Sequence, residues 1–197
     1  MGYSIDSVTK INNTMKKLRM HFKETILLAA SLLMLVYVGN AQEAPKLSDA
    51  EVAHVAVVAN QIDIDYAAIA KKKSKNADIL KFAKTMADDH TAVIKQAAAL
   101  VKKLGVTPKD NAVSKQLLDG ARKKQKELQA RSSNAFDKAY IDNEVAYHKA
   151  VISAVETLLI PETENSELKD LLKNVVPALK AHLAHAEMVQ KAFDASK

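Results

Sequence analysis

The sequence predicts an all-α protein, a four-helix bundle in which a long connection with its own helix joins the second and third helices. Composition is the first reason. Of the glycines, only Gly105 and Gly120 lie beyond residue 41, aromatic residues make up 5% of the chain, and Ala, Leu, Lys and Val are abundant. Such a composition favours helices over a turn-rich β fold. The second reason is that apolar residues recur at spacings of three and four in four long segments. Helices with one apolar face each bury those faces against one another, and a bundle is the simplest arrangement.

The first 41 residues have the order of a secretory signal. An uncharged apolar run over residues 26–38 follows a basic segment and precedes Gly39 and Ala41, which form a small-x-small cleavage site. The run is too short for the roughly twenty residues that cross a bilayer as a helix. We therefore predict a signal peptide with an upstream extension over 1–41, a linker over 42–47 and the bundle domain over 48–197. An uncleaved N-terminal anchor is the alternative.

Export of a chain without cysteine restricts its chemistry. The absence of cysteine excludes disulfides, thiolate metal ligands, a thiol nucleophile and the lipidated cysteine of a lipoprotein. We expect a periplasmic or secreted protein without a transmembrane segment in its mature form, and association with the outer membrane is left open.

Each of the four helices has a recognisable start. Capping residues accept hydrogen bonds from the first free N–H groups of a helix, and glycine after the last turn ends one. Helix 1 begins at a capping box of Ser48 and Glu51, helix 2 begins at Asn76 and ends at Gly105, helix 3 begins at Ser132 or Ser133, and helix 4 begins at Asn165. We expect helix 3 to stop before Pro161, and Pro177 to kink helix 4 near residues 173–176.

The connection over residues 106–131 contains a charged helix near 113–130. It is long enough to run the length of a bundle, as in ferritin-like folds with one crossover. Its basic residues, including Lys123, Lys124 and Lys126, are interspersed with acids and lack aromatic neighbours, which favours a solvated face and no nucleic-acid partner. Binding to a membrane surface is a third alternative for this helix.

Three histidines lie on apolar faces of three different helices and should point toward the bundle axis: His90, His148 and His182. Neutral imidazole is a common ligand for transition metals, and ligands from facing helices converge in bundle cores. Asp63 lies on the inner flank of helix 1, and Glu144 lies one turn before His148. These five residues are the candidate ligands for a divalent metal ion. In the alternative, His90 with Asp89 and His148 with Glu144 are hydrogen-bonded core pairs.

The di-iron pattern of carboxylate-bridged bundles does not occur at these histidines. That pattern needs a Glu three residues before the histidine, whereas Ala87, Val145 and Leu179 occupy these positions. The one Glu-x-x-His string, Glu51 to His54, is already used by the capping box. No catalytic triad order or phosphate-binding loop is present either, so we expect a protein that is not an enzyme.

Three strings of the sequence resemble the domain-of-unknown-function family 4142. They are Phe82 to His90 (FAKTMADDH), Phe136 to Tyr140 (FDKAY) with His148 following, and Pro177 to Leu183 (PALKAHL). The resemblance covers roughly residues 49–193 and implies an exported bacterial protein with a ferritin-like four-helix fold, often labelled an outer-membrane protein. It places the family's histidines at His90, His148 and His182 and its helix 1 glutamate at Asp63. Two positions depart from the family pattern: the glutamate is shortened to Asp63, and Tyr147 replaces an aspartate.

Two hypotheses for function follow. The favoured one is a non-catalytic envelope bundle, acting in stress tolerance or as an interaction module with an envelope protein partner, in which the histidines are structural. The alternative is a metal-binding bundle that uses the inward histidines and carboxylates. Ring nitrogens of the three histidines more than about 5 Å apart would exclude a single shared ion, because each ligand lies roughly 2 Å from the metal.

Overall fold

The computed structural model describes residues 46–195, with the backbone alone for residues 133 and 134. These residues belong to one compact unit. The predicted signal peptide over 1–41 and most of the predicted linker over 42–47 lie outside the described residues.

Five helices make up the described chain, which contains no strand, so the all-α prediction is confirmed. They are α1 (Asp49–Lys73), α2 (Ala77–Lys103), α3 (Ala112–Ala130), α4 (Ser133–Ala154) and α5 (Ser166–Ala195). Beyond Ala154 the chain continues through a π-helical turn, Val155–Leu159, into a last helical turn, Ile160–Glu162. α3 is the helix predicted within the connection.

Three of the four predicted helix caps form the expected contacts, whereas the side chain of Ser132, before α4, forms no capping hydrogen bond. Ser48 and Glu51 form the capping box of α1, and the Asn76 side chain accepts hydrogen bonds from the first turn of α2. The Asn165 side chain accepts from Leu168 N at 3.1 Å at the start of α5. Gly105 follows α2 with φ +66, the left-handed conformation that glycine adopts without steric cost. The sequence predicts these helix ends because each is determined by residues within one turn of it.

The predicted stop before Pro161 is wrong, because the helix continues to Glu162. Proline inside a helix lacks an N–H donor and its ring clashes with the carbonyl four residues earlier. The wider π-helical turn ends at Leu159, two residues before Pro161, and Ile160 N donates to Val155 O, five residues back. Pro177 lies inside α5, which runs unbroken from Ser166 to Ala195, and the kink expected there stays a prediction.

The four long helices contact one another in a closed cycle, α1 with α2, α2 with α5, α5 with α4 and α4 with α1. At one end of the bundle, the Asp49 carboxylate accepts from Asn165 N and Lys109 N donates to Ala50 O. At the other end, the Lys73 ammonium donates to Gln129 O. Relative to α1, therefore, α3 and α5 run in the same direction, whereas α2 and α4 run in the opposite one. The connection through α3 spans the length of α1.

The bundle interior is divided into two apolar clusters that meet near its middle. One cluster includes Val58, Met86, Val145 and Ala186, and the other includes Val55, Ile152 and Leu179. His148 lies between Val145 and Ile152 along α4, and His182 lies between Leu179 and Ala186 along α5. The polar residues singled out by the sequence are therefore enclosed by apolar side chains from above and below, which excludes water from them.

Among the helices of residues 46–195, none combines the length and the hydropathy needed to cross a membrane.

Candidate metal centre

Four helices each contribute to one buried polar cluster at the middle of the bundle. Its members are Asp63 from α1, His90 from α2, Glu144 and His148 from α4, and His182 from α5, and all are buried. One ring nitrogen from each of the three histidines lies within 4.8 Å of the others, and Asp63, Glu144 and His148 form a second group within the same limit. The three histidines thus pass the distance test for a shared ion.

His90 is held from α1 by an amide. Asn60 Nδ2 donates to Ala56 O at 2.8 Å, which turns Asn60 Oδ1 toward His90 Nδ1 at 2.7 Å. Because an amide oxygen only accepts hydrogen bonds, Nδ1 of His90 must carry the proton. The other nitrogen, Nε2, then has a free lone pair, and it is buried without a hydrogen-bond partner.

His148 is held by its own helix. Its Nδ1 lies 2.9 Å from the carbonyl oxygen of Glu144, one turn earlier, and a carbonyl oxygen likewise only accepts. The Nε2 atom is again left with a lone pair and no hydrogen-bond partner. Burial lowers the pKa of His148 from its ordinary value, against the opposing effect of Asp63, so the ring is neutral at neutral pH.

His182 is held from α2 by a carboxylate. Its Nε2 donates to Asp89 Oδ2 at 2.9 Å, and Nδ1 is buried without a partner. Burial lowers the pKa of His182, although the hydrogen bond that its ring donates to Asp89 acts in the opposite direction. Each of the three rings therefore donates one N–H away from the centre and keeps one lone pair free for a ligand. Metal-binding histidines in proteins are held in the same way.

Asp63 completes the set with spacings that fit a metal ion. Its Oδ2 lies 3.2 Å from His90 Nε2 and 3.4 Å from His148 Nε2. Two ligands about 2.0 Å from an ion in tetrahedral geometry lie about 3.3 Å apart. Without a cation or proton between them, a carboxylate oxygen and an imidazole lone pair at this distance repel each other. The spacing therefore fits two groups that share a positive charge, either a proton or a metal ion.

Glu144 lies beside Asp63 and His148, in the second group of candidate ligands. It is fully buried, and burial together with the nearby Asp63 raises its pKa well above the ordinary value. The Tyr140 hydroxyl lies near enough to Glu144 to lower that pKa in part. A neutral, protonated Glu144 can donate to Asp63 and accept from Tyr140, so we interpret it as a support for Asp63.

Without a bound cation, the buried Asp63 carboxylate destabilises the folded protein. Both oxygens of Asp63 are buried and form no hydrogen bond of regular geometry, and its ion-pairing neighbours in the described part of the chain are His90 and His148. Buried charges in proteins are normally paired or bound to metals, because the loss of hydration costs several kcal/mol. A divalent cation at this point would satisfy the carboxylate and the three lone pairs together.

The structure brings together all five residues predicted from sequence, but it changes their pairing. The predicted pair of His90 with Asp89 is wrong: Asp89 contacts His182 on α5, because consecutive residues of a helix point in directions about 100° apart. For His148, the contact with Glu144 is through the backbone carbonyl, and the carboxylate lies 3.6 Å from Nδ1.

Sequence reasoning missed Asn60 altogether. It lies three residues before Asp63 and thus on the same face of α1, where a polar residue one helical turn from a buried carboxylate was the available signal. His54 and His185 belong to neither group of candidate ligands within residues 46–195. The His185 ring instead packs edge-on against Phe82, with 5.1 Å between the ring centroids.

Fold and site together define a class of protein: an all-helical bundle with a buried cluster of three histidines and an aspartate. Residues 38–189 match the model of the family described as "Domain of unknown function (DUF4142)", and the chain belongs to that family. Neither a curated protein nor a solved structure matches the chain.

Proposed function

We propose that this protein is an exported helical bundle of ferritin-like topology that binds one divalent transition-metal ion at its centre. The observation that carries the proposal is the meeting of three free imidazole lone pairs in one group, two of which lie at the ligand spacings of a tetrahedral ion from Asp63. The ligand atoms are Nε2 of His90, Nε2 of His148, Nδ1 of His182 and Oδ2 of Asp63.

The donor set favours a particular class of ion. Three imidazole nitrogens and one carboxylate oxygen suit Zn²⁺, Fe²⁺ or Mn²⁺, whereas Cu⁺ prefers the sulfur ligands and Ca²⁺ the all-oxygen sites that this set does not provide. Asp63 is the one carboxylate among the four ligand residues. The centre would hold the ion and exclude water from it, and the proposed role is binding without catalysis.

This proposal reverses the preference that the sequence alone supported. Structural histidines of a core are expected to use their ring nitrogens in hydrogen bonds. Here each ring uses one nitrogen in that way and leaves the other buried without a partner, in three rings that face one another. A purely structural role would give no account of these three atoms or of Asp63.

The helix order and the N-terminal sequence support the remaining parts of the proposal. Two helix pairs joined by one long crossover through α3 correspond to the order of ferritin-like bundles. Export rests on the basic, apolar and small residues over 15–41, and N-terminal sequencing of protein recovered from the envelope would give Gln42 as the first residue.

The direct test is elemental analysis of the protein purified without chelators and of the same protein stripped and reloaded with Zn²⁺, Fe²⁺ or Mn²⁺. We expect about one ion per chain and a dissociation constant in the micromolar range or tighter for at least one of them. Failure of all three ions to bind, with the helices intact by circular dichroism, would rule out the proposal.

The role of Glu144 gives a second prediction. Glu144→Gln keeps the size of the side chain, stays neutral and retains a donor toward Asp63, so we expect the metal content to remain about one ion per chain. Glu144→Leu removes the donor, and we expect the metal affinity to fall by about 10–100-fold, as for other groups that support a ligand. Complete loss of the metal in Glu144→Gln would show instead that Glu144 is a charged ligand.

A further inference from the structure

The three histidines of the centre are not equally enclosed. The side chains of His90 and His148 are 5% and 1% exposed, and that of His182 is 10% exposed. The hydrogen-bond partners of the three rings differ more than their exposures do. The partner of His148 is a backbone carbonyl within α4, and that of His90 is the amide of Asn60. His182 alone is held by a carboxylate, Asp89, whose side chain is 54% exposed.

Asp89 therefore connects the buried centre to the solvent. Its Oδ2 accepts from the ring of His182, and the remainder of its carboxylate faces water. The contact joins α2 to α5 at the middle of the bundle, between the two apolar clusters. Met86 on α2 and Leu179 on α5, each one turn from this contact, are apolar and buried.

The neighbouring acid, Asp88, differs from Asp89 although both lie on α2. Asp88 forms an ion pair with Lys84, one turn earlier, and that contact lowers the pKa of Asp88. Asp89 instead has a histidine of the centre as its partner. A hydrated cation that approaches this side of the bundle thus meets a carboxylate whose negative charge is not compensated by a lysine. Such a charge raises the local concentration of cations and their rate of association.

We propose that metal ions enter and leave the centre past His182, and that Asp89 is the positioning residue of this entrance. In this arrangement Asp89 attracts the hydrated ion, and its hydrogen bond fixes the tautomer of His182 with Nδ1 free for the ion. The inference rests on the metal-binding function proposed above. It adds a route for the ion, which that function does not specify.

The test compares Zn²⁺ uptake by metal-free forms of the wild type, Asp89→Asn and Asp88→Asn. Stopped-flow mixing with a zinc-sensitive dye gives the uptake rate, and competition with the dye gives the affinity. In Asp89→Asn we expect the affinity to fall by about 10–100-fold and the uptake rate to fall several-fold. Asp88→Asn removes the same charge from the adjacent residue, and both of its values should stay within about twofold of the wild type.

Asn60→Ala tests whether Asp89 acts as an entrance for the ion or only as a structural contact of a ligand. Asn60 holds His90 inside the bundle, so its loss should weaken binding through faster dissociation while the uptake rate stays near that of the wild type. Equal uptake rates in Asp89→Asn and Asp88→Asn would overturn the inference, as would an equal slowing in Asn60→Ala and Asp89→Asn. Absence of Zn²⁺, Fe²⁺ and Mn²⁺ binding by the wild type would overturn the proposed function itself, which distinguishes the two failures.

Discussion

Replacement of His148 by alanine is expected to reduce the bound metal from about one ion per chain to less than about one-tenth. His148 is the most deeply buried of the three histidines, and its Nε2 faces the carboxylate of Asp63. An alanine leaves the ion with three ligands and a gap on the fourth side, next to Asp63. A water molecule in this gap is a weaker ligand than an imidazole whose other nitrogen is held by the Glu144 carbonyl.

The same loss should be visible in thermal unfolding. Ligand that binds only the folded state stabilises it by about 4 kcal/mol at a concentration 1,000 times the dissociation constant. For a domain of this size that corresponds to a rise of about 10 °C in melting temperature. We expect added metal to produce this rise in the wild type and no more than about 2 °C in His148→Ala.

His54→Ala is the matched control for that measurement. His54 lies on α1 outside both groups of candidate ligands, and its sequence string with Glu51 is the one Glu-x-x-His of the bundle domain. Metal content and the metal-dependent rise in melting temperature should both remain as in the wild type. A stoichiometric ion in His148→Ala, or its loss in His54→Ala, would contradict the assigned ligand set.

The fold could be predicted from sequence because its determinants are local. Ser48, Asn76 and Asn165 cap the helices within three residues of their own positions, and Gly105 ends α2 by a conformation that few other residues adopt. Pro161 shows the limit of such reasoning. The helix continues through Pro161 because Val155–Leu159 form a π-helical turn. The presence of proline alone does not predict this local change.

The site was predictable in its members but not in its contacts. Helical periodicity places His90, His148 and His182 on inward faces, whatever the exact packing. Which carboxylate or amide meets which ring depends on the rotation and the axial shift of one helix against another. For that reason the sequence paired Asp89 with its neighbour His90 and passed over Asn60, whereas the fold pairs Asp89 with His182 across 93 residues.

Asp63→Asn is expected to change the stability of the metal-free protein and its metal affinity in opposite directions. The wild-type carboxylate is buried 3.2 Å and 3.4 Å from two imidazole lone pairs. An asparagine amide at the same place removes the buried charge and can donate its two N–H groups to His90 Nε2 and His148 Nε2. We expect the free energy of unfolding of the metal-free protein to rise by about 1–3 kcal/mol, as measured by urea titration.

The metal affinity of Asp63→Asn should fall at least about 100-fold, because the ion loses its one charged ligand and finds two of its nitrogens already hydrogen-bonded. Asp65→Asn makes the same substitution on α1 at a position where the carboxylate accepts from Gln61, and it should alter stability by less than about 0.5 kcal/mol and leave the affinity unchanged. Residues kept at a cost to the folded state mark functional sites. If the metal-free protein is instead destabilised by Asp63→Asn, then Asp63 is held for structure, and the ion would not be the reason for its burial.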